Sequence, residues 1–246
     1  MILERAEHPD WLSNAYLVAD GPGGSGVLVD GNGAGRPLYE RVEADDITIT
    51  HVLATHYHVD HVVGLAELAK RFDVPVLAHP ITADELGDVV DERIDDGAVV
   101  RSGELEIEAL LTPGHVAGHL AFLVDGTDCL SADVLFKGTV GGTRAPGATG
   151  FEDLKASVMR LLDLPPATRV HPGHREPTTI GDERETNAFA RIWLGVDDEG
   201  SGSCEVGGEP ATLVLWAPDY DGGNKAWVRF ASGEEAIVGG SQVTRD

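Results

Sequence analysis

Seven residues, Thr55-His56-Tyr57-His58-Val59-Asp60-His61, constrain this chain more than any other stretch. They follow a strand-like segment, Ile47 to Thr55. After them Leu65, Leu68, Ala69 and Phe72 recur at the i, i+3, i+4, i+7 spacing of an amphipathic helix. The histidines and the aspartate are therefore expected on the turn where a strand ends and a helix begins. In an extended turn His56 and His58 point the same way, while Asp60 and His61 face a second point as the chain curls into the helix. That arrangement suits two metal ions side by side. Nitrogen and carboxylate donors without thiolate fit zinc best, with iron or manganese as alternatives. The competing reading is a polar turn that happens to be rich in histidine. It leaves the ligand-like clusters further along the chain without an explanation.

Three such pieces carry the same residue types: Thr112-Pro-Gly-His115, Ser131-Ala-Asp133 and His171-Pro-Gly-His174. Strand and helix patterns alternate between them, and each candidate ligand lies at the end of a strand. An α/β sandwich with its site along one edge of the sheets is the expected architecture. The H-x-H-x-D-H pattern resembles the signature of the metallo-β-lactamase superfamily, and the later pieces fall in that family's order, so that the resemblance spans residue 1 to about residue 195. It implies an α/β (α+β) fold, the four-layer αββα sandwich. By the same resemblance His56, His58 and His115 hold one metal, Asp60, His61 and His174 the other, and Asp133 bridges them. Two ions of this kind share a hydroxide whose pKa is brought near 7 and which attacks a carbonyl carbon. Asp60 is then also the catalytic residue, binding through one oxygen and orienting the nucleophile with the other.

Several neighbours need placing. His119 takes a position where relatives usually have Ser or Thr, and His171 is separated from His174 by a Pro-Gly turn. Both are expected to hydrogen-bond the ligands rather than to bind metal. Lys137 and Arg144, in the Gly-rich loop from residue 137 to residue 150, read either as anion clamps for a substrate carboxylate or as solvated loop charges. His79 reads as a hydrogen-bonded histidine at a strand end.

Charge narrows the partners. The 246 residues carry 42 acidic and 18 basic side chains, a formal net charge of −24. Such a surface repels phosphate backbones and anionic lipid, so neither nucleic acid nor membrane is expected, and the partner is a small-molecule substrate. The segment from Met1 has no basic or apolar signal-like region, and no apolar run reaches membrane-spanning length. Cys129 and Cys204 lie far apart, the first in an apolar segment and the second in a Gly/Ser stretch. These features together suggest a cytoplasmic protein.

The chain reads as a catalytic domain over residues 1–196, a linker over 197–210 and a small all-β appendage over 211–246. Asp182 is the expected N-cap of a helix to about Leu194. Thr212–Trp216, Ala226–Phe230 and Ala236–Val238 read as strands. Their aromatic residues Trp216, Trp227 and Phe230 exceed what so small a unit can bury, which predicts packing on the catalytic domain or across a homodimer. The segment Thr178-Thr-Ile-Gly-Asp-Glu183 resembles the glyoxalase II-like (hydroxyacylglutathione hydrolase-like) branch. Classical members of that branch carry a helical C-terminal domain that helps hold glutathione, and the β pattern here departs from it.

The favoured function is a binuclear metal-dependent hydrolase cleaving a thioester or related small ester through a metal-bound hydroxide, with two zinc ions as cofactors. The alternative is a mononuclear iron persulfide dioxygenase of the same superfamily. A non-catalytic scaffold acting through the C-terminal β unit is the third reading, and the full set of ligand positions weighs against it.

Overall fold

The computed structural model describes residues 1–245. The chain divides into two compact units that are interleaved in sequence. The first comprises Met1–Leu111, Gly118–Ala132 and Gly173–Arg175; the second comprises Thr112–Ala117, Asp133–Pro172 and Glu176–Asp246.

In the first unit, β1 (Ile2–Glu7), β2 (Asn14–Ala19), β3 (Ser25–Val29), α1 (Arg36–Ala44), β4 (Thr48–Leu53), α2 (Val59–Val62), α3 (Leu65–Phe72), β5 (Val76–Ala78), α4 (Pro80–Leu86) and β6 (Glu92–Arg93) come first. A meander comes next: β7 (Val99–Ser102), β8 (Leu105–Leu111), β9 (Leu120–Val124) and β10 (Asp128–Ala132). Strands β1 to β6 form one sheet in sequence order, antiparallel from β1 to β3 and parallel from β3 to β6. The meander is an antiparallel second sheet.

The two-residue period of a strand explains how these elements layer. In β2, Tyr16 and Val18 join Val27, Val29, Leu53 and Leu77 in a core shared with Leu105, Ile107, Leu120 and Phe122 of the meander. The alternate residues Ala15, Leu17 and Ala19 face the other way, against Leu38 and Val42 of α1 and Leu65 and Leu68 of α3. Strand β2 is thus buried on both faces, whereas β8 shows Glu106 to solvent between Leu105 and Ile107. The layers of this unit are helix, sheet and sheet. Helix α3 forms where the apolar spacing predicts it and stops at Asp73, which adopts the left-handed conformation.

The second unit contains the hairpin β11 (Leu135–Phe136) and β12 (Thr139–Val140), then α5 (Phe151–Leu162), β13 (Arg169–Pro172), β14 (Thr178–Thr179), α6 (Ile180–Thr186) and α7 (Ala188–Trp193). Its last part is a five-stranded antiparallel sheet of β15 (Gly202–Val206), β16 (Glu209–Pro218), β17 (Asn224–Phe230), β18 (Glu235–Gly239) and β19 (Val243–Arg245), in the order β18-β17-β16-β15-β19. One face of this sheet has its own core, built on Cys204, Ala226, Val228, Phe230 and Val238. The other face sends Trp227 onto α5, where it stacks on Phe151 with ring centroids 5.0 Å apart and meets Trp193 of α7 at 6.0 Å. Trp216 packs at the edge of the sheet core under the Arg245 guanidinium, 4.0 Å from its ring.

Two expectations change. The stretch 197–210 holds strand β15 and the start of β16, and Cys204 is buried in the sheet core rather than lying in a linker. Its glycines serve close packing: a Cβ on Gly200 would stand 2.7 Å from the Val214 carbonyl oxygen. Asp182 is not the N-cap of α6. Thr179 is in extended conformation, and its hydroxyl accepts from the Asp182 N–H; the helix then breaks at Asn187, whose side chain caps α7.

Candidate metal centre

The residues singled out in sequence emerge from the ends of strands. Leaving β4, the chain stays extended through His58 (φ −66°, ψ 141°) and turns into the single-turn helix α2, which carries Asp60 and His61. The His56 ring lies 4.8 Å from that of His58, 4.5 Å from that of His61 and 5.2 Å from that of His119. His174 joins them from the short segment Gly173–Arg175. Ligand atoms of Asp60, His61 and His174 lie within 4.8 Å of one another. In the second unit His115 and Asp133 form a pair, with His115 Nε2 3.5 Å from Asp133 Oδ2.

What surrounds these imidazoles fixes which nitrogen faces the cluster. His61 Nδ1 lies 2.8 Å from Asp30 Oδ2, and a carboxylate can only accept, so the proton is on Nδ1. Thr55 Oγ1 donates to the same Asp30 oxygen at 2.8 Å. Having spent its one proton there, it accepts from His56 Nδ1 at 2.9 Å. His174 Nδ1 donates to the Trp11 carbonyl at 3.1 Å, and His115 Nδ1 to that of Gly142 at 3.0 Å. All four rings therefore carry the lone pair on Nε2. Asp30 sets two of them, one directly and one through Thr55.

The spacing between Nε2 atoms and carboxylates fits shared metal ions. Asp60 Oδ2 lies 3.6 Å from His61 Nε2 and 3.5 Å from His174 Nε2. These separations are long for hydrogen bonds. Two donors each about 2.0–2.1 Å from one tetrahedral ion stand roughly 3.3–3.4 Å apart, which is close to what is found. The His115–Asp133 separation meets the same test.

Asp30 is the site residue that sequence reading missed, because the run from Asp30 to Gly35 looks like a plain Gly-rich turn. A better signal was available. Asp30 ends the apolar run Val27-Leu-Val29, and β3 lies parallel to the strand that delivers the histidines. It is buried at φ 60°, a conformation Asp tolerates better than most residues, and Leu12 and Arg175 beside the His174 segment are also at positive φ. His119 and His171 are buried. His79 caps α4, accepting from the Ile81 N–H at 3.2 Å. Lys137 is exposed between β11 and β12, while Arg144 is engaged by Glu234 at 2.8 Å and lies 4.8 Å over the Phe230 ring.

Residues 8–174 match the model of the metallo-β-lactamase superfamily, and the chain belongs to that family. Its fold is the mixed α/β sandwich of the superfamily, whose members bind divalent metals and are mostly metal-dependent hydrolases. A hydroxyacylglutathione hydrolase of Bradyrhizobium sp. (strain ORS 278) is 36% identical over 160 residues, covering 65% of this chain and 61% of that enzyme. Among solved structures, TTHA1623 in a di-iron-bound form is 35% identical with a TM-score of 0.63, covering 77% of this chain and all of that one (100%). ETHE1 from Myxococcus xanthus is 27% identical with a TM-score of 0.70, covering 80% of this chain and 92% of that one.

Among the described residues no helix is long and apolar enough to cross a membrane.

Proposed function

We propose that this protein is a binuclear metal-dependent hydrolase acting on a thioester or a related small ester. The observation that carries the reading is the Asp60–His61–His174 group, with both imidazoles locked by their Nδ1 hydrogen bonds and both Nε2 atoms at metal-sharing distance from one carboxylate oxygen. Likeness to hydroxyacylglutathione hydrolases supports the substrate class, and the di-iron-bound relative supports two ions.

In this reading His56, His58 and His115 would hold one ion and Asp60, His61 and His174 the other, with Asp133 as a further carboxylate ligand. Bound metals supply Lewis acidity toward the carbonyl and bring the pKa of water close to neutral. The chain's own groups do the rest. Asp60 would bind the metal through one oxygen and could direct the second at the proton of an attacking water. Asp30 holds His61 and His56 in the ligating tautomer, and His119 and His171 support the ligands from behind. The thiol half is not assigned to glutathione, since residues 202–245 form an antiparallel sheet where the classical enzymes have a helical domain. Zinc as the native metal and a cytoplasmic location belong to the same proposal, the latter supported by Cys129 and Cys204 being buried and joined in no disulfide.

Metal analysis of the purified protein, run beside a panel of thioester, lactone and persulfide substrates, tests the proposal. Two zinc ions with thioester cleavage support it. One iron with oxygen consumption on a persulfide would replace it by the dioxygenase reading. Unchanged turnover in His115→Ala would remove the ligand assignment.

A further inference from the structure

The five-stranded C-terminal sheet lies beyond the residues that match the family, 8–174, and no role follows from that match. We propose that this sheet is a positioning element for the metal ligand His115. It acts by gripping residues 140–144, the strip whose Gly142 carbonyl accepts the His115 Nδ1 hydrogen bond. The inference rests on the reading of His115 as a ligand.

The grip is made at three successive points. Lys225 of β17 is buried, donates to the Val140 carbonyl at 2.8 Å, and is neutralised by Asp219 at 3.1 Å. Thr143 pairs with Ile237 of β18 in both directions: its N–H donates to the Ile237 carbonyl at 2.9 Å, and its hydroxyl accepts the Ile237 N–H at 2.9 Å. Arg144 closes the strip onto Glu234. Between these anchors lie Gly141 and Gly142. A Cβ on Gly141 would stand 2.0 Å from the Asp133 carbonyl oxygen and 3.5 Å from His115 Cβ, so the strip runs directly against both ligand-bearing residues. The Gly142 oxygen then meets His115 Nδ1 at 3.0 Å.

A hydrogen bond that fixes the orientation and tautomer of a ligating histidine is worth about 10–100-fold in metal affinity or activity. Here its acceptor is a main-chain carbonyl in a glycine-containing strip with little stiffness of its own. Lys225 and Thr143 supply that stiffness from the sheet. They are positioning residues and touch neither substrate nor metal.

The test is zinc titration of the apo full-length chain, with affinity resolved for each ion well below the melting temperature. Thr143→Val keeps the side-chain shape and removes the hydroxyl; Thr143→Ser keeps the hydroxyl. The expected result is a loss of about 10-fold for one ion in Thr143→Val, less than two-fold for the other, and recovery in Thr143→Ser. Lys225→Met should weaken the same ion, and the Thr143 pair keeps the test open if that variant fails to fold. Cys204→Ala, which disturbs the sheet core away from the strip, should lower the melting temperature without moving either affinity. Thr143→Val with both affinities unchanged overturns the proposal, as does equal weakening of both ions. If His115→Ala still binds two ions at wild-type affinity, the ligand reading itself has failed. If His115→Ala loses an ion and Thr143→Val does not, only the role of the sheet has failed.

Discussion

Replacing Asp30 by Asn tests the hydrogen-bond architecture of the site with little change of shape. Three donors converge on the carboxylate: the Thr55 N–H on Oδ1, and the Thr55 hydroxyl and His61 Nδ1–H on Oδ2. An amide has one accepting oxygen. If its oxygen keeps His61, its NH2 faces the Thr55 N–H. If the amide turns over, the NH2 faces His61, which must then accept on Nδ1 and move its proton to Nε2, the atom needed for metal. The first arrangement leaves a buried donor opposed and costs about 1–3 kcal/mol of stability. The second removes the ligating lone pair. Loss of a hydrogen bond behind a metal ligand lowers affinity about 10–100-fold, or about 1.4–2.7 kcal/mol. Backbone strain is not a confounder, since Asn accepts the positive φ at this position as readily as Asp. Competition with a chelating dye measures the affinity, and thermal unfolding with and without chelator separates metal loss from fold loss. Zinc affinity within two-fold of the wild type would refute the claim that Asp30 sets the His61 tautomer.

Three further outcomes concern buried groups. Glu183 accepts from Gly138 N, Thr178 Oγ1 and Asn187 Nδ2, yet burial outweighs these bonds and raises its pKa above the usual 4.5. The folded state therefore holds this proton more tightly than the unfolded state, and its contribution to stability falls as pH rises from 4.5 through the raised value. Glu183→Gln should gain stability relative to the wild type across that window in urea melts, and parallel pH profiles would contradict the assignment. The Cys129 thiol, pushed up to about 12 by complete burial, should resist iodoacetamide in the native protein and react only on unfolding; native-state labelling at the global-unfolding rate or slower is the expected mass-spectrometric result. Trp227→Ala, which empties the stack on Phe151 and Trp193, should cost about 3–5 kcal/mol in denaturant unfolding, and an unmoved midpoint would show that this contact contributes nothing.

Where the sequence was legible, a local rule coincided with the tertiary one. The 3.6-residue spacing from Leu65 to Phe72 and the run from Phe151 to Leu162 gave helices at those positions, and the pattern around His56 gave a strand, a turn and a helix. It failed where composition pointed away from packing. Glycines around residue 200 suggested a linker, although they permit a close approach of backbones. Asp30 looked like turn punctuation, because nothing local shows that a carboxylate will be buried beside a strand whose partner lies about 25 residues further on. Arg144, read as a possible clamp from its loop, is occupied by a residue 90 positions away.

The order in which the two units share the chain has a consequence for how such a protein can be divided. Each unit is made of three segments, so the backbone passes between them five times. The short pieces that cross over, Thr112–Ala117 and Gly173–Arg175, contain His115 and His174. A single cut at any of these passages therefore divides at least one unit between the two fragments, and a cut at any of the middle three divides both. Proteolytic nicking should yield fragments that stay associated or unfold together, and recombination at any one crossover would break up at least one of the two units. A chain threaded in this way has to be synthesised, and inherited, as one piece.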